Sequence, residues 1–286
     1  MRAMIAPNED SQEVYQTCVN SIIDGDLRIR LNALTSAIGL AASYYHQSAT
    51  DKQLYTLPPN DCGNDDIALG AVTKKELTNV YSTHMVGKTK PARAIYDSLL
   101  SRAPLGRCPF CGMGHASTLD HYLPKTKYPQ LSVVPFNLVP SCKDCNTGKN
   151  AAVSSTAGDQ SLHPYYDHQS FVDEQWIYAD VIHTSPVTIN FYVHAPNHWD
   201  EISRKRVQSH FIDFNLAARY SIEACNQIAC LRDTLSHYRD YLGTEGVRQH
   251  LIIEAQSSYR QHRNSWQTAM FQALASSDWY CDRGFQ

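Results

Sequence analysis

Apolar residues recur at helical spacing near both ends of the chain and at strand spacing only in short central runs. Val14, Cys18 and Ile22 repeat every four residues, and Leu27, Leu31, Leu34 and Ile38 follow the 4-3-4 spacing of one buried helix face. Helix is therefore expected from Ser11 to about His46. Residues 48–70 are polar and rich in Pro, Gly, Asn and Asp, the composition of a linker or long loop. Thr73 followed by Glu76 is a capping-box signature opening a helix towards Met85. Pro91 suits the first turn of another helix that carries Ile95 and Leu99 and ends before Pro104.

Strand patterns follow. Leu119–Pro124 and Val133–Val139 read as two short strands, and a helix from about Cys142 would set Asn146 and Lys149 one turn apart on the same face. Residues 151–170 are loop-like. Trp176–Ile182 and Val187–Val193 are β-rich runs separated by Thr-Ser-Pro, a hairpin whose aromatics Trp176, Tyr178, Phe191 and Tyr192 are expected in the core. Beyond Trp199 the chain is helical almost to its end. Ile228, Leu231, Leu235, Tyr238 and Leu242 form one stripe, and the Gly243–Gly246 break starts a further helix with Leu251, Ala255 and Tyr259. The fold class is α+β and mostly α-helical, with regions at 1–86 (helical), 87–170 and 171–286 (hairpin and helices).

Composition narrows the class. At 286 residues with 43% hydrophobic and 19% charged, the chain can build one large or two small cores, and nothing suggests wholesale disorder. No run approaches the ~18 apolar residues of a membrane span, and the first residues lack the apolar segment of a secretory signal. A cytoplasmic protein without a membrane partner is expected. The net charge of −3 hides a strong local asymmetry. Residues 86–150 carry nine basic residues against three acids (Asp97, Asp120, Asp144), an excess of six, so the remainder carries −9. Such an island is the footprint of a phosphate-facing surface or of solvated loop lysines.

The same stretch holds the chemistry. Of nine cysteines, Cys108/Cys111 and Cys142/Cys145 form two Cys-x-x-Cys pairs, which in a reducing compartment bind metal rather than form disulfides. Cys225 and Cys230 are expected as small core residues of a helix. Two chelating pairs supply the four thiolates of a structural zinc, with no open position for water. The 30 residues between the pairs exceed the ~15–20 of an ordinary zinc ribbon. Within them lie Asp120-His121 and Asn137, and just beyond lies Asn146. Carboxylate and amide oxygens suit a hard divalent ion such as Mg²⁺, and a neighbouring imidazole can take a proton from water.

In order, C-x-x-C, D-H-x-x-P-K, N-L-V and C-x-x-C-N-x-x-K resemble the motif set of the HNH, or ββα-metal, nucleases in a four-cysteine zinc form, over Cys108 to about Lys149. That resemblance implies a zinc-stapled ββα core with helical flanks on both sides. His121 would be the general base, Asp120 a metal ligand and Asn137 the brace of the loop behind the base. Asn146 stands where many members carry a last histidine, and Lys149 would contact phosphate or steady the site. The catalytic ion would be Mg²⁺ or Mn²⁺, and cleavage of DNA held by its phosphate backbone would leave 5′-phosphate and 3′-hydroxyl ends. Lys125-Thr126-Lys127-Tyr128-Pro129 departs from the Ser-x-Gly-Gly that often follows the proline.

Around this segment, Lys125 is a further phosphate candidate, and His115 reads as a loop histidine near phosphate. His163 could support the site from behind, assist the metal, or be an incidental loop residue. Arg204-Lys205-Arg206 reads as a solvated helix face, with a DNA contact as the second reading. The architecture also resembles nuclease partners of two-gene phage-defence systems, in which an ATPase gates cutting. With no P-loop in this chain, an ATPase would be a separate partner. A second class stays open: a non-catalytic zinc module that binds nucleic acid or a partner protein. Such a module has no need of the D-H-x-x-P and N-L-V elements.

Overall fold

In a computed structural model, which describes residues 1–148 and 153–286, the N-terminal stripe folds as α1 (Ser11–Asn20), α2 (Gly25–Asn32) and α3 (Thr35–Thr50). The Asp10 carboxylate accepts the N–H groups of Gln12 and Glu13 at 2.9 Å, and Asp24 accepts that of Leu27, so both starts are capped. Val14, Cys18, Leu31, Leu34 and Ile38 are buried, and Leu27 is half-buried.

The stretch expected to be loop carries a small hairpin, β1 (Ile67–Leu69) with β2 (Val72–Thr73). Thr73 then caps α4 (Lys74–Asn79) reciprocally: its hydroxyl accepts the Glu76 N–H while Glu76 accepts the Thr73 N–H at 2.8 Å. Residues Val80–Met85 continue as a turn of π-helix, with the Val86 N–H reaching back to the Tyr81 carbonyl. Helix α5 (Arg93–Ser101) follows.

Next come β3 (Thr118–His121), β4 (Leu138–Ser141) and α6 (Lys143–Gly148). The strands are antiparallel, pairing Thr118 with Ser141, Leu119 with Pro140, Asp120 with Val139 and His121 with Leu138. Both strands are shorter than their apolar runs. The Leu123 N–H and C=O are taken by the Asn137 side chain rather than by a strand, and Pro135 turns Pro135–Asn137 into a 3-10 turn. Lys149 lies outside the described residues.

After α7 (Ser170–Asp173), the hairpin forms as β5 (Ile177–Ile182) and β6 (Thr188–Val193), in register from Ile177–Val193 to Ile182–Thr188. Trp176 and Phe191 are buried, Tyr178 is half-buried and Tyr192 is exposed, so the alternation of the strands divides the aromatics between core and surface. Helices α8 (Glu201–Asp213), α9 (Leu216–Gln261) and α10 (Trp266–Ser276) complete the chain. At Gly243 the backbone of α9 leaves helical geometry, with φ 68°. The stripe Ile228, Leu231 and Leu235 is buried before the break, Leu242 is exposed at it, and Val247, Leu251 and Ala255 are buried after it.

Two expectations are corrected. Cys225 and Cys230 are exposed, because the buried line of α9 runs through Ala224, Ile228 and Leu231 and leaves them beside it. Arg206 is buried, because it shares the inward stripe of α8 with Val207, His210 and Phe211, and its guanidinium lies over the Phe171 ring. Among the described residues no helix is long and apolar enough to cross a membrane.

Residues Arg2–Asp167 form one compact unit, and His168–Gln286 with Met1 form another. In the latter, fully buried Asn264 joins two segments: Oδ1 accepts the N–H groups of Trp176 and Ile177 at 2.7 and 3.2 Å, and Nδ2 donates to the carbonyls of Glu174 and Phe171. Replacing Asn264 with Ala strands several buried backbone groups and is expected to cost on the order of 3 kcal/mol. The denaturant midpoint of N264A against wild type measures it, and a loss under about 0.5 kcal/mol would contradict the assigned role.

Candidate functional site

The four paired cysteines converge. Their Sγ atoms all lie within 4.8 Å of one another, and all four residues are buried. A tetrahedron with Zn–S bonds of ~2.3 Å has edges of about 3.8 Å, and Cys111 and Cys142 are 3.8 Å apart. Local backbone makes this approach feasible. The Gly112 N–H bonds the Cys108 carbonyl with Gly112 at φ 73°, a knuckle that favours glycine. A Cβ on Gly114 would fall 2.7–2.8 Å from the Cys142 side chain, so only glycine fits there. The Gly114 N–H donates to Cys111 Sγ at 3.4 Å. Within the cluster the thiols titrate together: hydrogen bonds from Cys108, Cys142 and Cys145 lower the Cys111 thiol, while burial raises Cys108 and hydrogen bonds from its partners raise Cys145. The donor set fits a structural zinc: four soft ligands in closed geometry.

Cys108 and Cys111 precede β3, while Cys142 and Cys145 follow β4, so the cluster closes the strand pair at one end. At the other end, the fully buried Asn137 amide accepts the Leu123 N–H at 2.7 Å and donates to the carbonyls of Leu123 and Leu131 at 3.0 and 3.3 Å. The loop between the strands is thereby tied at three points.

His121, the last residue of β3, is buried, and its Nε2 donates to the Ser132 carbonyl oxygen at 2.8 Å within that loop. A carbonyl only accepts, so Nε2 carries a proton. The ring meets the edge of Tyr81 at 4.4 Å between centroids. Asp120, also buried, shares a strand face with Thr118 by the two-residue repeat. Asn146, on α6, donates through Nδ2 to Thr118 Oγ1 at 2.9 Å. That bond draws the Asn146 amide to the face bearing Asp120 and commits its nitrogen, leaving the oxygen as the end with ligand chemistry. A carboxylate and an amide oxygen on one strand face are a donor set suited to Mg²⁺ or Mn²⁺.

Other candidates separate. Lys125 is half-buried, its ammonium 2.8 Å from Ser82 Oγ and 4.8 Å from the Tyr81 ring centre. His163 is buried, stacked on Tyr122 at 4.1 Å; its Nε2 pairs with the Tyr45 hydroxyl, and its Nδ1 accepts the Tyr165 N–H. Both ring nitrogens are thus engaged within an aromatic cluster. His115 is exposed beside the zinc knuckle, bridged to Arg107. The basic island is smaller in space than in sequence. Arg93 pairs with Asp97, Arg102 with Glu9, and Lys127 with Asp61. Among the described residues no ion pair joins Lys88, Lys125 or Lys143 to a carboxylate.

Four residues at the site escape motif reading. Ser132 presents a backbone carbonyl, which no side-chain pattern announces, whereas Thr118 could be found as the residue two before Asp120 on the same strand face. Tyr81 and Tyr96 come from outside the cysteine segment. The Leu119 N–H, turned away from β4, donates to the Tyr96 hydroxyl at 3.2 Å, and the Tyr81 hydroxyl donates to the Leu119 carbonyl at 2.9 Å. Burial, then the neighbouring Tyr96 and Asp120, raise the Tyr81 phenol well above its ordinary value, so it stays a donor.

Fold and site define an α+β, mostly helical protein with a four-cysteine cluster able to hold a zinc ion. Over 224 residues the chain is 36% identical to Protein ea31 of Escherichia phage lambda, covering 74% of this chain and 75% of that protein, and it belongs to the ea31 family. No protein-family model and no solved structure matches the chain.

Full-length protein is expected to bind one zinc per chain, measured by metal analysis after exhaustive dialysis. Cys145→Ser should bring the content well below one and open residues 108–148 to limited proteolysis. Retention of a full equivalent by the variant would exclude the four-thiolate site.

Proposed function

We propose that the protein is a metal-dependent HNH-type endonuclease that hydrolyses phosphodiester bonds of DNA. The observation that carries this reading is the fixed imidazole of His121 on a ββα unit, with its Nε2 proton committed to Ser132 and the loop behind it braced by Asn137. Held this way, Nδ1 takes a proton from water as the water oxygen attacks phosphorus in line. The P–O3′ bond breaks, and the leaving oxygen takes a proton from a second water molecule to become a 3′-hydroxyl while the phosphate stays on the 5′ end. Asp120 and Asn146 would hold the divalent ion, which when bound supplies positive charge opposite the pentacovalent phosphorane and the leaving oxygen. The four cysteines hold the frame on which these side chains sit. A zinc module that only binds would leave the fixed imidazole and the Asn137 brace without a task. The biological setting we propose, anti-phage defence or restriction with a separate ATPase as partner, rests on sequence resemblance.

Purified protein is expected to nick or linearise plasmid DNA with Mg²⁺ or Mn²⁺ and to lose this activity in EDTA. His121→Ala should lower the rate at least about 100-fold while keeping zinc content and a single cooperative unfolding transition, at a midpoint somewhat lowered by the loss of the buried ring. Equal cleavage by the variant, or none by wild type with either ion, would refute the assignment.

A further inference from the structure

Tyr81 carries two groups on one ring: the His121 imidazole at 4.4 Å between centroids and the Lys125 ammonium at 4.8 Å from the centroid. Adding these separations puts the ammonium within about 9 Å of the imidazole centre. The geometry points to Lys125, Tyr81 and Ser82 as an anion subsite that takes one phosphate of the nucleic acid strand beside the scissile bond. This deepens the nuclease reading above and rests on it.

Three features of the site support the assignment. An ammonium half-withdrawn from water calls for compensation, and here it has a hydroxyl and an aromatic face. No ion pair among the described residues supplies it with a carboxylate, unlike Arg93, Arg102 and Lys127 of the same basic island. The missing counter-charge is what a phosphate oxygen provides, and burial by itself lowers the Lys125 pKa from its ordinary value. The platform is built rather than incidental. Tyr81 is buried and anchored by its hydroxyl to Leu119, and it sits with Ser82 on the π-helical turn, so the ring cannot swing away without releasing β3. Ser82 is exposed at the rim, placing the open side of the subsite towards solvent, while its hydroxyl accepts from Lys125 and donates to the Thr78 carbonyl at 3.3 Å.

Counter-ion release tests this directly. The full chain carrying His121→Ala, so that DNA stays intact, is titrated with a short DNA duplex over a series of NaCl concentrations. Each phosphate contact contributes about 0.9 to the slope of log K against log salt. Lys125→Gln in that background is expected to reduce the slope by about 0.9 and to weaken binding several-fold at low salt, while Lys125→Arg keeps the slope. Ser82→Asp changes only an exposed side chain, and it should produce the same loss by filling the subsite with its own carboxylate. An unchanged slope in Ser82→Asp overturns the subsite even if Lys125→Gln fails to fold. If wild type cleaves DNA while these slopes stay unaltered, only the subsite falls. If wild type neither cleaves nor binds DNA, the nuclease reading falls with it.

Discussion

Two four-residue strands and a six-residue helix cannot hold themselves together in water, so the geometry of the candidate site depends on what pinches this segment shut. The convergence of Cys108, Cys111, Cys142 and Cys145 is that constraint. Its cysteines flank the strand pair in sequence, and α6 starts within the second Cys-x-x-Cys, so closing the cluster sets strand register and helix position in one step. Gly114 shows how tight the closure is, since even a methyl group there would collide with Cys142. Register in turn determines which of Asp120 and His121 faces which side, because a one-residue slip would exchange them.

The pinch fixes one end only. At the other, a neutral amide does comparable work: Asn137 satisfies the Leu123 backbone on both sides and the Leu131 carbonyl besides. The result is a loop whose Ser132 carbonyl has a set position, and that carbonyl accepts the Nε2 proton of His121. A third support comes from the helices. Tyr81 and Tyr96 terminate the outer edge of β3 with their hydroxyls, at the residue paired with Pro140, which has no N–H to offer. The N-terminal helices therefore belong to the same compact unit as the cysteine segment, from Arg2 to Asp167. They are part of what shapes the site.

Sequence pattern reached some of this and not the rest, for identifiable reasons. The amphipathic helices, the Thr73 capping box and the β5–β6 hairpin are local signals, and each appears where its period or dipeptide places it. The cysteine cluster was legible because metal chemistry fixes both spacing and residue type. Strand ends were less legible, since Pro135 and the reach of Asn137 act across the loop. Cys225 and Arg206 show the limit of residue-type reasoning: helical phase put the cysteine outside and the arginine inside. The tyrosines capping β3 lie over twenty residues from it and carry no motif, and charge counting overstated the basic island because Glu9 and Asp61 neutralise it from elsewhere. The candidate ligands are a partial case. Asp120 and Asn146 were found by type, but the bond that joins them to one face belongs to Thr118.

That bond bears on the substitution of asparagine for the expected histidine. An amide oxygen is a neutral and weaker donor than an imidazole nitrogen, and it is hard where imidazole is borderline. With Asp120 it forms a donor pair of net charge −1, too little to strip the water shell of Mg²⁺. On the proposed reading, an ion there keeps most of its waters and lacks further anionic oxygens, which a phosphodiester supplies. Thr118 offsets part of the deficit by holding the amide in place, so less rotamer entropy is lost when the oxygen engages. The ion and the DNA strand then bind cooperatively, each completing a site the other leaves unfinished. On the same proposed reading, Lys125, which no ion pair among the described residues joins to a carboxylate, would meet a phosphate from the opposite charge.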